Sequence, residues 1–143
     1  MRAVHVASDR FGALDIDEAR ILTFEEGLLG FPHARRFALI DSHDTGVYYW
    51  LQSLDDPSLA FLTVVPWPFF PDYEPELPEP EQHSLELRSP SEAMVLCLLT
   101  VQREAQTITA NLLGPLVVNS TTRKGRQVVL AESGYPVRAP LAA

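Results

Sequence analysis

Apolar residues along the chain fall in short runs, separated by turn-forming residues at fairly even intervals. That pattern predicts an antiparallel β protein. The runs Val4–Val6, Ile21–Phe24, Phe37–Ile40 and Val47–Leu51 are candidate strands. Leu59–Val65 is another, ended by Pro66, which cannot donate to a ladder. Ala93–Arg103 is the longest and has room to bend partway. Thr107–Leu113 alternates in part, and Leu116–Val118 and Gln127–Ala131 follow it. Lys124-Gly125 reads as the tip of a hairpin between Val117-Val118 and Val128-Val129. Helix is scarce. Ser89-Pro90-Ser91-Glu92 has an N-cap serine followed by proline at the first position, and Glu74–Ser84 has room for one helical turn.

Many short strands must cover their edges or pair them. The expected fold is therefore mostly β: a small antiparallel, closed or nearly closed β-barrel-like single domain over residues 1–143, with little helix. One stretch interrupts the pattern. Residues 66–81 read Pro-Trp-Pro-Phe-Phe-Pro-Asp-Tyr-Glu-Pro-Glu-Leu-Pro-Glu-Pro-Glu. Repeated proline breaks any ladder, so this is a loop or excursion, extending to about residue 83. Its first half is aromatic and its second half acidic.

Bulk composition narrows the function. With 143 residues, 46% of them hydrophobic, the chain folds without needing a disulfide or a metal. The formal net charge is −8, which disfavours direct binding to nucleic acid and suits a basic protein partner. A single cysteine, Cys97, rules out an intramolecular disulfide and favours a reducing compartment. Met1–Val6 lacks a signal-peptide core, and the longest apolar runs are far too short to span a bilayer as a helix. A soluble, cytoplasmic monomer with no membrane association is the expectation.

Catalytic constellations are missing from the sequence. There is no phosphate loop, no Gly-x-Gly-x-x-Gly and no Gly-x-Ser-x-Gly, so an enzyme is not expected. His5, His33, His43 and His83 have no partner at ligand spacing, so no metal or other cofactor is expected. Cys97 lies in an apolar run, where a thiol behaves as a small hydrophobe. The acidic groups Asp15, Asp17 and Glu18, Glu25 with Glu26, and Asp55 with Asp56 read as solvated turn charge. Asn119-Ser120-Thr121 matches a glycosylation sequon but has no secretory context. Arg123-Lys124-Gly125-Arg126 is the one basic cluster and reads as a charged hairpin tip.

The excursion is the best candidate site. Trp67, Phe69, Phe70 and Tyr73 are candidate apolar anchors for a protein partner; alternatively, their rings plug an open barrel end. Asp72, Glu74, Glu76 and Glu79 are the electrostatic candidates. With Glu81, Glu86 and Glu92 they are opposed only by Arg88.

Several motifs recur in a recognisable order. They are Ile21-x-x-Phe24-x-x-Gly27-Leu28-x-Gly30-Phe31, then Leu51-Gln52-Ser53 followed by Leu59-Ala60-Phe61, Pro66 and Asp72-Tyr73. Asn111-Leu112-x-x-Pro115-x-Val117-x-Asn119, Gln127-Val128-Val129-Leu130 and Tyr135 complete the series. In order and spacing, from about residue 3 to about residue 138, the chain resembles the FliW family of bacterial flagellar assembly factors. The resemblance implies a cytoplasmic protein that binds flagellin and, when free, binds and antagonises CsrA, a dimeric RNA-binding repressor of flagellin translation. The motif residues read as structural: Gly27 and Gly30 allow a tight double turn that tucks Phe24 and Phe31 inward. Leu51 and Phe61 suit core positions, and Asn111 and Asn119 suit bonding to turn backbone. Other readings are a flagellin-type chaperone without CsrA regulation, a small β-barrel enzyme, and a nucleic-acid-binding barrel.

Overall fold

In the computed structural model, which describes residues 2–141, the chain forms eleven strands and one short α-helix. The strands are β1 (Ala3–Ser8), β2 (Gly12–Asp17), β3 (Ile21–Thr23), β4 (Arg36–Asp41), β5 (Tyr48–Ser53) and β6 (Ala60–Val64). After helix α1 (Glu79–Ser84) come β7 (Ala93–Gln102), β8 (Thr107–Ala110), β9 (Leu116–Asn119), β10 (Gly125–Gln127) and β11 (Ala139–Pro140). Every ladder between them is antiparallel.

The main sheet runs in the order β10-β9-β7-β6-β5-β4-β3, with β8 and β11 attached beyond β7. It curls until its two ends meet. The meeting point is one parallel bridge, Thr23 to Lys124, in which the Thr23 N–H donates to the Arg123 carbonyl at 3.0 Å. The barrel is therefore barrel-like and does not close with a ladder. β1 and β2 form a separate hairpin. It is fastened to β5 by the Ser8 hydroxyl donating to Gln52 Oε1 at 2.7 Å and by Phe11 edge-on to Trp50 at 5.9 Å.

Strand β7 explains the packing. In an extended chain, successive side chains point to opposite faces. Leu96 joins a cluster inside the curl with Leu22, Phe24, Phe37, Leu51, Leu116 and Val118. Its neighbours Val95 and Cys97 face the other way, into a second cluster with Val64, Tyr73, Leu85, Val117, Val128 and Leu130. The unbroken apolar run Met94–Leu99 is thus a strand buried on both faces. The inner cluster is the barrel interior. The outer one is roofed by the excursion after β6 and by the C-terminal segment.

β7 changes partner partway along its length. Residues Ala93–Leu96 pair with β9, and Leu99–Gln102 pair with β8. Between these ladders, Asn111–Pro115 bulges out against two residues of β7. The Asn111 carboxamide oxygen accepts the Gly114 N–H at 2.9 Å and holds the bulge.

Three local expectations need correction. Gly12–Asp17 is a strand, so Asp15 and Asp17 lie on a ladder, and Asp15 faces His5 across it at 3.2 Å. Leu14 and Ile16 supply the alternation, but the interleaved acids masked it. The last hairpin turns earlier than expected: Gly125 pairs with Val118, and only Gly125–Gln127 of that arm is strand. Glycine is needed at position 125 because a Cβ there would lie 2.7 Å from the buried Phe24 ring. Phe31 is not tucked inward; it is 42% exposed and meets Phe61 edge-on at 5.0 Å. The helical start at Ser89 is a single turn, as the β-like residues after it lead one to expect: a 3-10 turn, Pro90–Glu92, in which the Glu92 carboxylate accepts the Arg88 and Ser89 N–H groups.

Candidate functional site

Pro66 ends β6, and the chain leaves the sheet. Its carbonyl accepts from both the Phe69 and Phe70 N–H groups, and the Phe70 carbonyl accepts from Tyr73. These bonds coil residues 66–73 into tight turns that lay the rings on the outer face of the sheet. Tyr73 becomes fully buried, and its hydroxyl donates to the Leu112 carbonyl in the bulge at 2.6 Å. Trp67 Nε1 donates to the Tyr73 carbonyl at 2.9 Å, and Phe69 packs on Tyr48 at 5.8 Å. Phe69 and Phe70 are half-buried against the outer cluster.

The alternative between a surface patch and a plug is thereby redrawn. The rings cover a sheet face, not a barrel end. Tyr73 is a structural residue, because burial and a satisfied hydroxyl leave it nothing to offer a partner. Burial also pushes the Tyr73 hydroxyl far above its usual range and the Cys97 thiol up to about 12. Cys97 is a buried, protonated core group without the electropositive setting of a nucleophile. Of the four proposed anchors, Trp67 is the exposed one, at 40%.

From Glu74 the segment runs across the surface and is tied down at three places. The Tyr135 hydroxyl accepts the Glu74 N–H at 3.0 Å, and its ring stands edge-on to Tyr73 at 4.7 Å. Arg126 bonds Glu81 at 2.7 Å and Glu26 at 3.0 Å, pinning α1 to β10 and to the turn before Gly27. The Asn119 carboxamide donates to the Leu85 carbonyl at 2.8 Å, while its oxygen accepts from Thr121 and Thr122. Tyr135, Asn119 and the Asn111 bulge therefore do more than build the barrel: they hold the excursion in place.

The other motif residues are structural in the way their burial dictates. Phe24, Leu51, Gln52, Ser53 and Pro115 are buried, and Phe61 is half-buried against the inner cluster. Gln52 spends its amide on the carbonyls of Ser53, Pro57 and Leu59. Gln127 accepts from Leu29 N–H at 2.9 Å and donates to the Gly114 carbonyl at 3.1 Å. Gly27 and Gly30 both have positive φ.

Charge is distributed unevenly. Asp72, Glu74, Glu76 and Glu79 are all exposed and have no salt bridge among the described residues. The basic cluster, by contrast, is largely spent. Lys124 pairs with Glu25 at 3.4 Å, and Arg126 lies between two carboxylates. This surface thus carries uncompensated negative charge on a segment fixed at both ends.

Beside the acids is a cleft of about 340 Å³ that the sequence reading did not anticipate. Trp67, Leu77, Leu87, Val95 and Val117 give it an apolar lining. Its leucines Leu77 and Leu87 stand in the sequence among acids and prolines, which hide them. Among the described residues no His, Cys, Asp or Glu side chains gather to hold a metal ion, and no helix is long and apolar enough to cross a membrane.

Comparison with known proteins decides the family. The FliW protein family model matches residues 5–141. The chain belongs to the FliW family. Flagellar assembly factor FliW 2 of Desulfotalea psychrophila is 38% identical over 132 residues, covering 92% of this chain and 87% of its own. Flagellar assembly factor FliW of Caldicellulosiruptor saccharolyticus is 35% identical over 133 residues, covering 93% and 87%. A crystal structure of the flagellar assembly factor FliW superimposes with a TM-score of 0.87 at 31% identity, covering 98% of both chains. The FliW fold is thus the mostly β architecture described above.

Proposed function

We propose that this FliW-family chain is a cytoplasmic, monomeric flagellar assembly factor that works by binding proteins and not by catalysis. It holds flagellin while flagellin is plentiful. When flagellin has been exported, the free factor captures the repressor CsrA and so relieves repression of flagellin synthesis. The switch is competition by mass action for one limiting protein.

The observation that carries this reading is the row of unpaired acids Asp72, Glu74, Glu76 and Glu79 on a segment locked by Tyr135 and Arg126. Fixed negative charge raises the rate of encounter with a basic partner and opposes the phosphates of that partner's RNA. Trp67, exposed on the same excursion as the half-buried Phe69 and Phe70, supplies the apolar contact.

The test is reversal of the four acids to Lys, which brings the formal charge from −8 to zero. At about 0.5 kcal/mol for each exposed charge, CsrA affinity falls roughly thirty-fold at low salt. The salt dependence of binding flattens as well. Unchanged affinity and unchanged salt dependence in a folded variant would remove the acidic face from the account.

A further inference from the structure

The cleft between Trp67 and Leu87 is set apart from the acidic row by its lining. Val95 of β7 and Val117 of β9, both members of the outer cluster, form its floor. Leu77 and Leu87 add aliphatic walls, and Trp67 adds an aromatic one. Its polar side chains are Gln82, Arg88 and Ser89, and no carboxylate lines it. Glu74 and Glu76 line a separate hollow with Tyr135, and Glu86 lines another with His83. A concave, mostly apolar site with a few polar groups is the usual form of a small-molecule pocket. Its walls are held in place before anything binds. Trp67 Nε1 donates to the Tyr73 carbonyl at 2.9 Å, and the Gln82 amide donates to the Leu77 carbonyl at 2.8 Å. A preformed wall lowers the cost of binding.

Arg88 sets the charge of the occupant. The nearby Glu92 carboxylate is engaged by backbone, since it accepts the Arg88 N–H at 2.8 Å and the Ser89 N–H at 3.0 Å. The Arg88 side chain is exposed and has no ion pair among the described residues. A fork of guanidinium donors beside an apolar hollow is complementary to a carboxylate and repels an ammonium group. The net charge of −8 opposes anions at long range, but physiological salt screens that repulsion beyond about 8 Å, so the local pair decides. Volume sets the size. With about 30 Å³ for each water-sized group, about 340 Å³ holds about eleven non-hydrogen atoms, roughly an eight-carbon carboxylate. A nucleotide or a folded peptide segment exceeds it.

We propose that this cleft is a binding site for a small amphiphilic carboxylate, whose alkyl chain lies over Val95 and Val117 and whose carboxylate pairs with Arg88. The site is additional to the proposed protein-binding role and does not depend on it.

The probe is octanoate, titrated into the full-length, nitrogen-15-labelled protein at neutral pH, with octanol and octylammonium as controls. Saturable shifts are expected at the Trp67 indole N–H and at the Leu87 and Val95 amides, with a dissociation constant on the order of 0.1–1 mM. Octylammonium should bind about ten-fold more weakly or worse, and octanol about three-fold or more. Arg88→Gln, at an exposed position, should weaken octanoate about three-fold or more and leave octanol unchanged. Ala93→Leu, which fills part of the hollow, should weaken octanoate and octanol alike by about ten-fold or more. Circular dichroism of both variants checks that the fold is retained. No saturable binding of octanoate to wild type, shifts confined to other residues, or equal binding to a folded Ala93→Leu protein overturns the site. Octanol or octylammonium binding as tightly as octanoate, or Arg88→Gln binding octanoate as tightly as wild type, overturns the carboxylate assignment.

Discussion

Replacing Tyr73 by Phe removes one oxygen atom from the centre of the outer cluster. The ring keeps its place against Tyr135 and under Trp67, so packing changes little. What is lost is the 2.6 Å bond from the hydroxyl to the Leu112 carbonyl. A neutral hydrogen bond contributes about 0.5–1.5 kcal/mol net, and abandoning a buried acceptor costs about 1–3 kcal/mol. Since the Leu112 carbonyl is left buried, a loss of about 1–3 kcal/mol is expected. With a urea slope of about 1–3 kcal/mol/M, the unfolding midpoint should drop by roughly 0.5–1.5 M. Far-ultraviolet circular dichroism and tryptophan fluorescence should give coincident transitions. Partner affinity should stay at the wild-type value, because the hydroxyl does not reach the surface. An unchanged midpoint would mean that the bond does not anchor the excursion. A large loss of partner affinity in the folded variant would mean that Tyr73 meets partners after all.

Further outcomes follow from the same geometry. At Gly27, with φ of +69°, an alanine Cβ would lie 2.6 Å from the Phe31 and Pro32 carbonyl oxygens, whereas at Gly30 nothing lies within 4 Å. Thermal unfolding should therefore show Gly27→Ala losing several kcal/mol or failing to fold, and Gly30→Ala losing only about 1–2 kcal/mol for its left-handed backbone. Arg126→Ala should leave most of the sheet intact but speed amide exchange across Glu79–Ser84, since Glu81 loses its 2.7 Å partner. Equal protection in both proteins would show that Arg126 does not pin α1. The Cys97 thiol is raised from 9.0 to about 12 in the fold, so the unfolded chain releases that proton first. Stability from this group is complete below about pH 9 and is lost as pH rises from there towards 12, with a slope of at most about 1.4 kcal/mol per pH unit. Urea titrations across that range should show Cys97→Ala with a shallower alkaline decline; identical slopes would refute the assignment.

Most strands were legible because their apolar runs are bounded by Gly, Pro or acidic turns, as at Leu59–Val65 before Pro66. β2 was missed because Asp15 and Asp17 alternate with Leu14 and Ile16, and a solvent-facing hairpin carries no run to see. The tip of the last hairpin was misplaced because Val128 and Val129 look like strand. In the fold, Val128 is buried in the outer cluster after the ladder has ended. The second core was implicit in Met94–Leu99, whose unbroken apolarity is the mark of a strand covered on both faces. Without that reading, four aromatic residues have no core to enter and are left between a surface patch and a plug for a barrel end. Tyr73 belongs to the core and Trp67 to the cleft wall. The acids Asp72, Glu74, Glu76 and Glu79 are exposed, as expected of a charged run opposed only by Arg88. The Leu77–Leu87 cleft was not legible, because it is assembled from an excursion and two strands distant in sequence.

The proposed switch shares one limiting protein between two partners. The most direct measurement loads this protein with purified CsrA and titrates in purified flagellin, following the complexes by size-exclusion chromatography with light scattering. CsrA should be released in proportion to flagellin bound, and a messenger-RNA leader bound by CsrA should then be occupied again. Failure of either protein to bind, or a stable ternary complex that retains all of its CsrA, would contradict it.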